Sequence, residues 1–291
     1  MGEQEKHLLD AYHAGTVTRR EFIRQALALT GGPAAAGPLL QAAGIDMAEA
    51  QQVDPNAPDL ESGTVRFPGP AGPVSAYQSR SKAPGRYPGI VIVHENRGLS
   101  PHVQDVARRL ARAGYHAVAP DFLSRLGGTA NVPDASKGLG NIRELVPRDV
   151  VRDDAGAAVS YLKGLSGVRG DRLAITGFCW GGEMAFYLAT QIRGLKGAVV
   201  FYGRTPKPLD LLREIEAPVL AHYGEEDKGI TDGVPETEEA MRRYGKVYTY
   251  KIYPKAKHAF HNDTNPDRYN PEAAREAWER TLAFFKQHLT V

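Results

Sequence analysis

The chain's single cysteine, Cys179, stands in Gly177-Phe178-Cys179-Trp180-Gly181, directly after the apolar run Leu173-Ala174-Ile175-Thr176. Strand, tight turn, then helix is the setting of a nucleophile elbow, in which an exposed thiol attacks a carbonyl carbon. Small residues two before and two after the nucleophile are required, because backbone packs on backbone there and a Cβ has no room. Gly177 and Gly181 meet that need. Residues 182–189 form a credible helix whose dipole and free N–H groups would favour a thiolate at Cys179. The competing expectation is a buried, inert free thiol in a glycine-rich turn.

A thiol nucleophile needs a base, and the base needs an orienting acid. After the apolar run 219–223 comes Gly224-Glu225-Glu226-Asp227, which puts a carboxylate just past a strand end. After the run 247–253, Pro254-Lys255-Ala256-Lys257-His258-Ala259-Phe260 puts a histidine in a loop before the last helix. Alone, each reads as a solvated loop residue. Together, about 50 and then about 30 residues apart in the order nucleophile, acid, histidine, they point to Asp227 and His258. His261 stays open as a rival base and Glu225 or Glu226 as rival acids. Acyl transfer also needs N–H donors for an oxyanion, for which the backbone amides of Trp180 and of Asn96, in His94-Glu95-Asn96-Arg97-Gly98-Leu99, are the candidates. His94 reads as a structural residue at the strand end.

These loops must be held by a scaffold of alternating strands and helices. Segments 64–67 and 74–78 suggest an opening hairpin, and Gly89-Ile90-Val91-Ile92-Val93 a strand buried on both faces. Segments 102–113, 148–165, 182–189, 235–244 and 271–288 carry helical patterns, and 116–119, 197–202, 219–223 and 247–253 strand patterns. The expected fold class is therefore α/β, a mainly parallel sheet flanked by helices, with ligands meeting loops at the strands' carboxyl ends. The Gly/Pro-rich stretch 122–147 is a long loop, either a lid or a surface excursion.

With 42% hydrophobic and 24% charged residues in 291, one sizeable core is expected. A net charge of +2 with no Lys/Arg block gives no footprint for nucleic acid or an anionic membrane. No apolar run is long enough to span a bilayer. One cysteine excludes an intramolecular disulfide and a Cys-rich metal site, and triad hydrolysis as outlined above calls for neither metal nor cofactor. Residues 1–59 differ in texture and are read as an N-terminal extension, with 60–291 as the α/β domain. Within the extension, Thr18-Arg19-Arg20-Glu21-Phe22 followed by an Ala/Gly/Leu/Pro stretch has the parts of a twin-arginine export signal, and Ala48-Glu49-Ala50 those of a cleavage site. A helical extension of a protein that stays in the cytoplasm is the other reading. Residues 53–59, rich in Pro, Asn and Asp, read as a linker.

Over residues 60–290 the chain resembles the dienelactone hydrolases (carboxymethylenebutenolidases), cysteine members of the α/β-hydrolase fold. The resemblance rests on His94-Glu95-Asn96-Arg97-Gly98, Ala119-Pro120-Asp121-Phe122-Leu123-Ser124-Arg125, Gly177-Phe178-Cys179-Trp180-Gly181-Gly182, Phe201-Tyr202-Gly203, Glu226-Asp227 and His258-Ala259-Phe260. It implies a Cys179–His258–Asp227 triad hydrolysing a small ester or lactone through a thioester. It also implies that Glu95 holds the resting thiol and swings away when substrate binds; a carboxylate beside a thiol favours the protonated form. Arg125 matches an arginine that binds the substrate carboxylate. The second such arginine is replaced by Asn262, which implies a neutral or differently shaped substrate. Trp180 could line an aromatic pocket or pack against the sheet. A general carboxylesterase or thioesterase, or a binding protein on the same fold, are the alternative functions, and the oligomeric state is open.

Overall fold

The computed structural model describes residues 2–30, 33–43 and 52–290. Three helices open the chain: α1 (Glu3–His13), α2 (Arg19–Thr30) and α3 (Pro33–Ala42). Then come β1 (Leu60–Gly69), β2 (Gly72–Ser81), β3 (Tyr87–Val93), α4 (Pro101–Arg112), β4 (His116–Pro120), α5 (Ile142–Leu145), α6 (Arg148–Gly164), β5 (Val168–Phe178) and α7 (Trp180–Gln191). The chain closes with β6 (Gly197–Phe201), β7 (Val219–Gly224), α8 (Lys228–Thr231), α9 (Val234–Arg243), β8 (Tyr248–Tyr253) and α10 (Pro271–Leu289).

Eight strands form one sheet in the order β1-β2-β4-β3-β5-β6-β7-β8. The β1–β2 and β2–β4 pairs are antiparallel and all others parallel. β3 shows why: Ile90 and Ile92 enter the core shared with α4 and α10, while Val91 and Val93 enter the core shared with α6 and α7. Burying each such side chain is worth about 1.5–3 kcal/mol, so this strand belongs in the sheet's interior. Its neighbours β4 and β5 are reached by crossovers on opposite faces, which makes the carboxyl ends of β3 and β5 a topological switch point. The loops after β3 and β5 meet there.

The stretch 122–147 is neither a free lid nor a surface excursion. It contains three short 3-10 turns and α5, and it buries Phe122, Leu123, Ala135, Leu139, Ile142 and Val146. Leu139 N–H donates to the Asn96 carbonyl (2.9 Å), and Leu99 N–H donates to the Thr129 hydroxyl (2.8 Å). The stretch is thus a packed wall beside the loop that follows β3.

Residues 53–59, whose composition marks a linker, lie along α4. Val53 N–H donates to Asp105 (2.8 Å), its carbonyl accepts from Arg108 Nε (2.8 Å), and Arg112 forks onto Asp59 (2.9 and 2.8 Å). Val53, Ala57 and Leu60 pack on Ala111. Upstream, α1–α3 share a small apolar core of Leu8, Phe22, Ala26, Ala36, Leu39 and Leu40. The Ala48-Glu49-Ala50 triplet lies outside the described residues. Among the described residues, no helix is long and apolar enough to cross a membrane.

Candidate active site

Cys179 sits between β5 and α7 with φ 59° and ψ −119°, a left-handed backbone that costs a residue bearing a Cβ about 1–3 kcal/mol. The surroundings over-determine it. A Cβ on Gly177 would come within 2.0 Å of the Gly181 carbonyl oxygen, and one on Gly181 within 2.3 Å of the carbonyls of Val93 and His94. Both glycines are therefore obligatory, and the turn is locked against the end of β3. Trp180 is the first residue of α7, so its N–H has no acceptor within the helix.

His258 and Asp227 reach this turn from the loops after β8 and β7. His258 Nε2 lies 3.0 Å from Cys179 Sγ and Nδ1 2.5 Å from Asp227 Oδ2. A carboxylate only accepts, so Nδ1 carries the hydrogen and Nε2 faces the sulfur. Burial opposes charge on His258, but the hydrogen bonds to Asp227 and Cys179 outweigh it and push the imidazole up to about 10. Tyr202, buried at the end of β6, stands edge-on to the His258 ring at 5.2 Å.

The rivals are placed elsewhere. His261 is buried among Phe178, Phe201 and Trp278, and neither ring nitrogen has a hydrogen-bond partner among the described residues. Burial holds it well below its ordinary range. Glu225 accepts from Lys255 N–H (2.9 Å), and Glu226 is exposed. His94 accepts at Nε2 from Phe122 N–H (3.1 Å), so its Nδ1–H donates to the Glu95 carbonyl (2.7 Å), a structural clasp.

Glu95 and Asn96 line a cavity of about 250 Å³ together with Cys179 and His258. Two placements depart from the sequence reading, and a third takes the packing alternative that it left open. Glu95 is buried and accepts from the Asn262 amide (2.8 Å), while the sulfur's partner is His258; the resting thiol is not on Glu95. Arg125 donates to the buried Asp154 carboxylate of α6 (2.7 Å) and does not line the cavity. The Trp180 side chain packs with His94 and Phe122, ring centres 5.5 and 6.2 Å away, and lines no pocket at the thiol. Arginine 125 had a buried carboxylate at hand, and the indole buries most of its surface inside rather than in a polar cavity.

Of four further side chains lining the cavity, Lys137, Asn265 and Arg268 carry no sequence signal, and Arg97 stands in a motif that gives it no task of its own. Arg97 adjoins Asn96 and could have been noticed for that alone; Arg268 lies in a polar loop without periodicity. Among the described residues, no group of three or more His, Cys, Asp or Glu side chains is placed to hold a metal ion.

Known proteins resemble the chain over most of its length. Residues 74–289 match the model of the dienelactone hydrolase family. A protein of Methylorubrum extorquens named "Putative carboxymethylenebutenolidase" is 35% identical over 283 residues, 94% of each chain. A Bradyrhizobium protein named "Probable 2-oxo-3-(5-oxofuran-2-ylidene)propanoate lactonase" is 34% identical over 74% of this chain and 89% of its own. The crystal structure titled "Putative Dienelactone Hydrolase" from Klebsiella pneumoniae superposes with a TM-score of 0.71 at 33% identity, covering 78% of this chain and 99% of that one.

Proposed function

This chain belongs to the dienelactone hydrolase family, a hydrolase of carboxylic ester and lactone bonds, and from that premise we propose that Cys179, His258 and Asp227 carry the reaction through a thioester. The carrying observation is the continuous hydrogen-bonded chain from Asp227 through His258 to the thiol at the cavity. With the imidazole pushed up to about 10 by its bonds to Asp227 and Cys179, Nε2 of His258 holds the thiol's proton while the sulfur attacks. The thiolate adds to the carbonyl carbon, and the amides of Trp180 and Asn96 receive the developing oxyanion. As the tetrahedral adduct collapses, His258 gives its proton to the departing alkoxide, leaving a thioester. The neutral imidazole then takes a proton from water, whose oxygen displaces the thiolate and releases the acid.

We assign Glu95 a positioning role. Its bond to Asn262 ties the loop bearing Asn96 to the loop bearing His258, so both partners of the carbonyl move together. The cavity of about 250 Å³ is below the range usual for drug-sized ligands, which favours a small acyl or lactone substrate.

The test is Cys179→Ala assayed on short 4-nitrophenyl esters, with acid-quenched wild type examined by mass spectrometry. Loss of at least about a thousandfold in kcat/KM, and a mass increment of one acyl group on the wild type, are expected. An alanine variant as fast as the wild type would refute the role of the thiol.

A further inference from the structure

An oxyanion is stabilised by N–H donors held at about 2.7–3.1 Å, and a donor that drifts loses much of its worth. The two candidate donors stand on different loops. Trp180 opens α7, and the close packing of Gly181 on the carbonyls of Val93 and His94 fixes that turn against the end of β3. Asn96 lies further along the loop after β3, where its carbonyl accepts from the Leu139 N–H of the stretch 122–147 (2.9 Å). The Gly138 backbone, at φ 95°, lies so near that a Cβ there would come within 3.2 Å of the Asn96 amide nitrogen. The stretch 122–147 thus places one donor, and it must itself be held relative to the helix that carries the other.

Glu183 supplies that hold. It stands in the first turn of α7, where its N–H donates to the Cys179 carbonyl (3.1 Å), so it is built into the same turn as the elbow. Its carboxylate is buried and accepts from Arg143 of α5 at 2.5 Å and from Arg148 at the start of α6 at 3.3 Å. Arg148 is seated over the Tyr187 ring of α7 at 5.2 Å and donates to the Lys207 carbonyl at 3.0 Å. Leu139, Ile142 and Val146 share the core with Trp180 and Met184, but apolar burial has no preferred direction. A carboxylate taken out of water returns little net stability for its desolvation; two guanidinium forks on it fix geometry. The contacts close a ring through Trp180, Glu183, Arg143, Leu139 and Asn96.

We infer that Glu183 is a positioning residue for the hydrolysis: with Arg143 and Arg148 it braces the stretch 122–147 against α7 and so sets the spacing between the Trp180 and Asn96 amides. This rests on the hydrolase reading above and adds to it the part that keeps the two oxyanion donors in register.

The experiment compares wild type with Glu183→Gln, Arg143→Gln and Arg143→Lys. It measures kcat and KM on 4-nitrophenyl acetate, the inhibition constant of a short-chain trifluoromethyl ketone, the rate of Cys179 alkylation by iodoacetamide, and the urea midpoint. With the ketone, the thiol sulfur bonds to the carbonyl carbon, the π pair passes to oxygen and the thiol proton to His258, so the adduct calls on both amides. Iodoacetamide loses iodide to the sulfur, and no oxyanion forms. For Glu183→Gln, kcat should fall and the inhibition constant rise by about tenfold, with KM within about twofold; loss of a whole donor costs about a hundredfold or more. Arg143→Gln, altered at an exposed side chain, should show about a threefold to fivefold effect, and Arg143→Lys should recover part of it, because charge is kept and the fork is lost. Alkylation should stay within about twofold of wild type throughout. A lower urea midpoint with kcat and the inhibition constant unchanged would make Glu183 a purely structural residue and overturn the proposal. Alkylation slowing in step with kcat would also overturn it, because the fault would then lie at the thiol and His258. Should Glu183→Gln fail to fold, Arg143→Gln decides by the same readouts. A wild type that neither hydrolyses the ester nor binds the ketone would overturn the hydrolase reading as well.

Discussion

Two aspartate–histidine pairs flank one short loop and behave differently. At its start, Asp227 holds His258 at 2.5 Å, and the other ring nitrogen meets Cys179 Sγ at 3.0 Å. At its end, Asp263 holds His102 of α4 at 3.3 Å, and the other nitrogen of His102 has no hydrogen-bond partner among the described residues. In both, burial opposes the imidazolium and is outweighed, by Asp227 with Cys179 at His258 and by Asp263 with Glu95 at His102, raising the histidine above its ordinary range. An Asp–His contact therefore does not make a base. What separates them is a third group within reach and access to a cavity: the His258 side chain is 24% exposed and that of His102 is sealed. The first pair is arranged to move a proton, the second to anchor the loop, with Gln52 also donating to Asp263 at 2.9 Å.

Breaking the pairs one at a time separates chemistry from anchoring. The largest effect is expected for His258→Ala, which should lower kcat/KM on aryl esters by about a thousandfold or more. Urea titration near neutral pH should also show this variant less stable than wild type, because the raised His258 contributes stability there. Asp227→Asn leaves the ring unoriented and its charge uncompensated; a fall in kcat of about a hundredfold or more is expected in the same assay. Asp263→Ala removes one partner of a buried pair and should cost about 3 kcal/mol of stability by urea midpoint, while kcat/KM changes less than about tenfold. A loss of activity equal to that of Asp227→Asn would erase the distinction between the pairs.

The smallest effect is in pH. His258, raised from 6.5 to about 10, contributes stability that is complete below about pH 6.5 and is lost as pH rises through 10. Asp263 is opposed most by its burial but lowered below 3.8 by His102, Arg109 and Gln52 together, so it contributes stability present above about pH 4 and lost as pH falls through its depressed value. The stability gap between wild type and His258→Ala should therefore close on the alkaline side, and that for Asp263→Ala on the acid side. Chemical denaturation at pH 3, 7 and 10 reads both.

The legibility of the two pairs in the sequence divides along the same line. Cys179, Asp227 and His258 announce themselves because each follows an apolar strand run, and the glycines at 177 and 181 answer a steric need that can be stated without coordinates. The strands buried on both faces are legible for the same reason, though β1 and β2 extend to 60–69 and 72–81, well beyond the runs that mark them. The anchoring pair is silent. His102 and Asp263 are 161 positions apart, one on an amphipathic helix and the other in a polar loop, and no local pattern couples them. In the sequence Asn262 is only a departure from the family pattern; its bond to Glu95 joins residues 167 positions apart and has no local pattern. Arg125 erred in the opposite sense, because a motif position cannot reveal that Asp154 is the nearer partner.

The strap of residues 53–59 along α4 bears on how the molecule can be cut. The family match begins at residue 74, and trimming to that point would look harmless on a sequence map. It would also strip the peptide cover from Asp105 and Arg108, which are now almost fully enclosed, and release Asp263 from Gln52. The loop ending in Asp263 begins with His258, so the tailored enzyme would lose one abutment of the span on which its proton donor rests. Excision upstream of Gln52 would keep these contacts, and the footprint of the family is smaller than the footing of its chemistry.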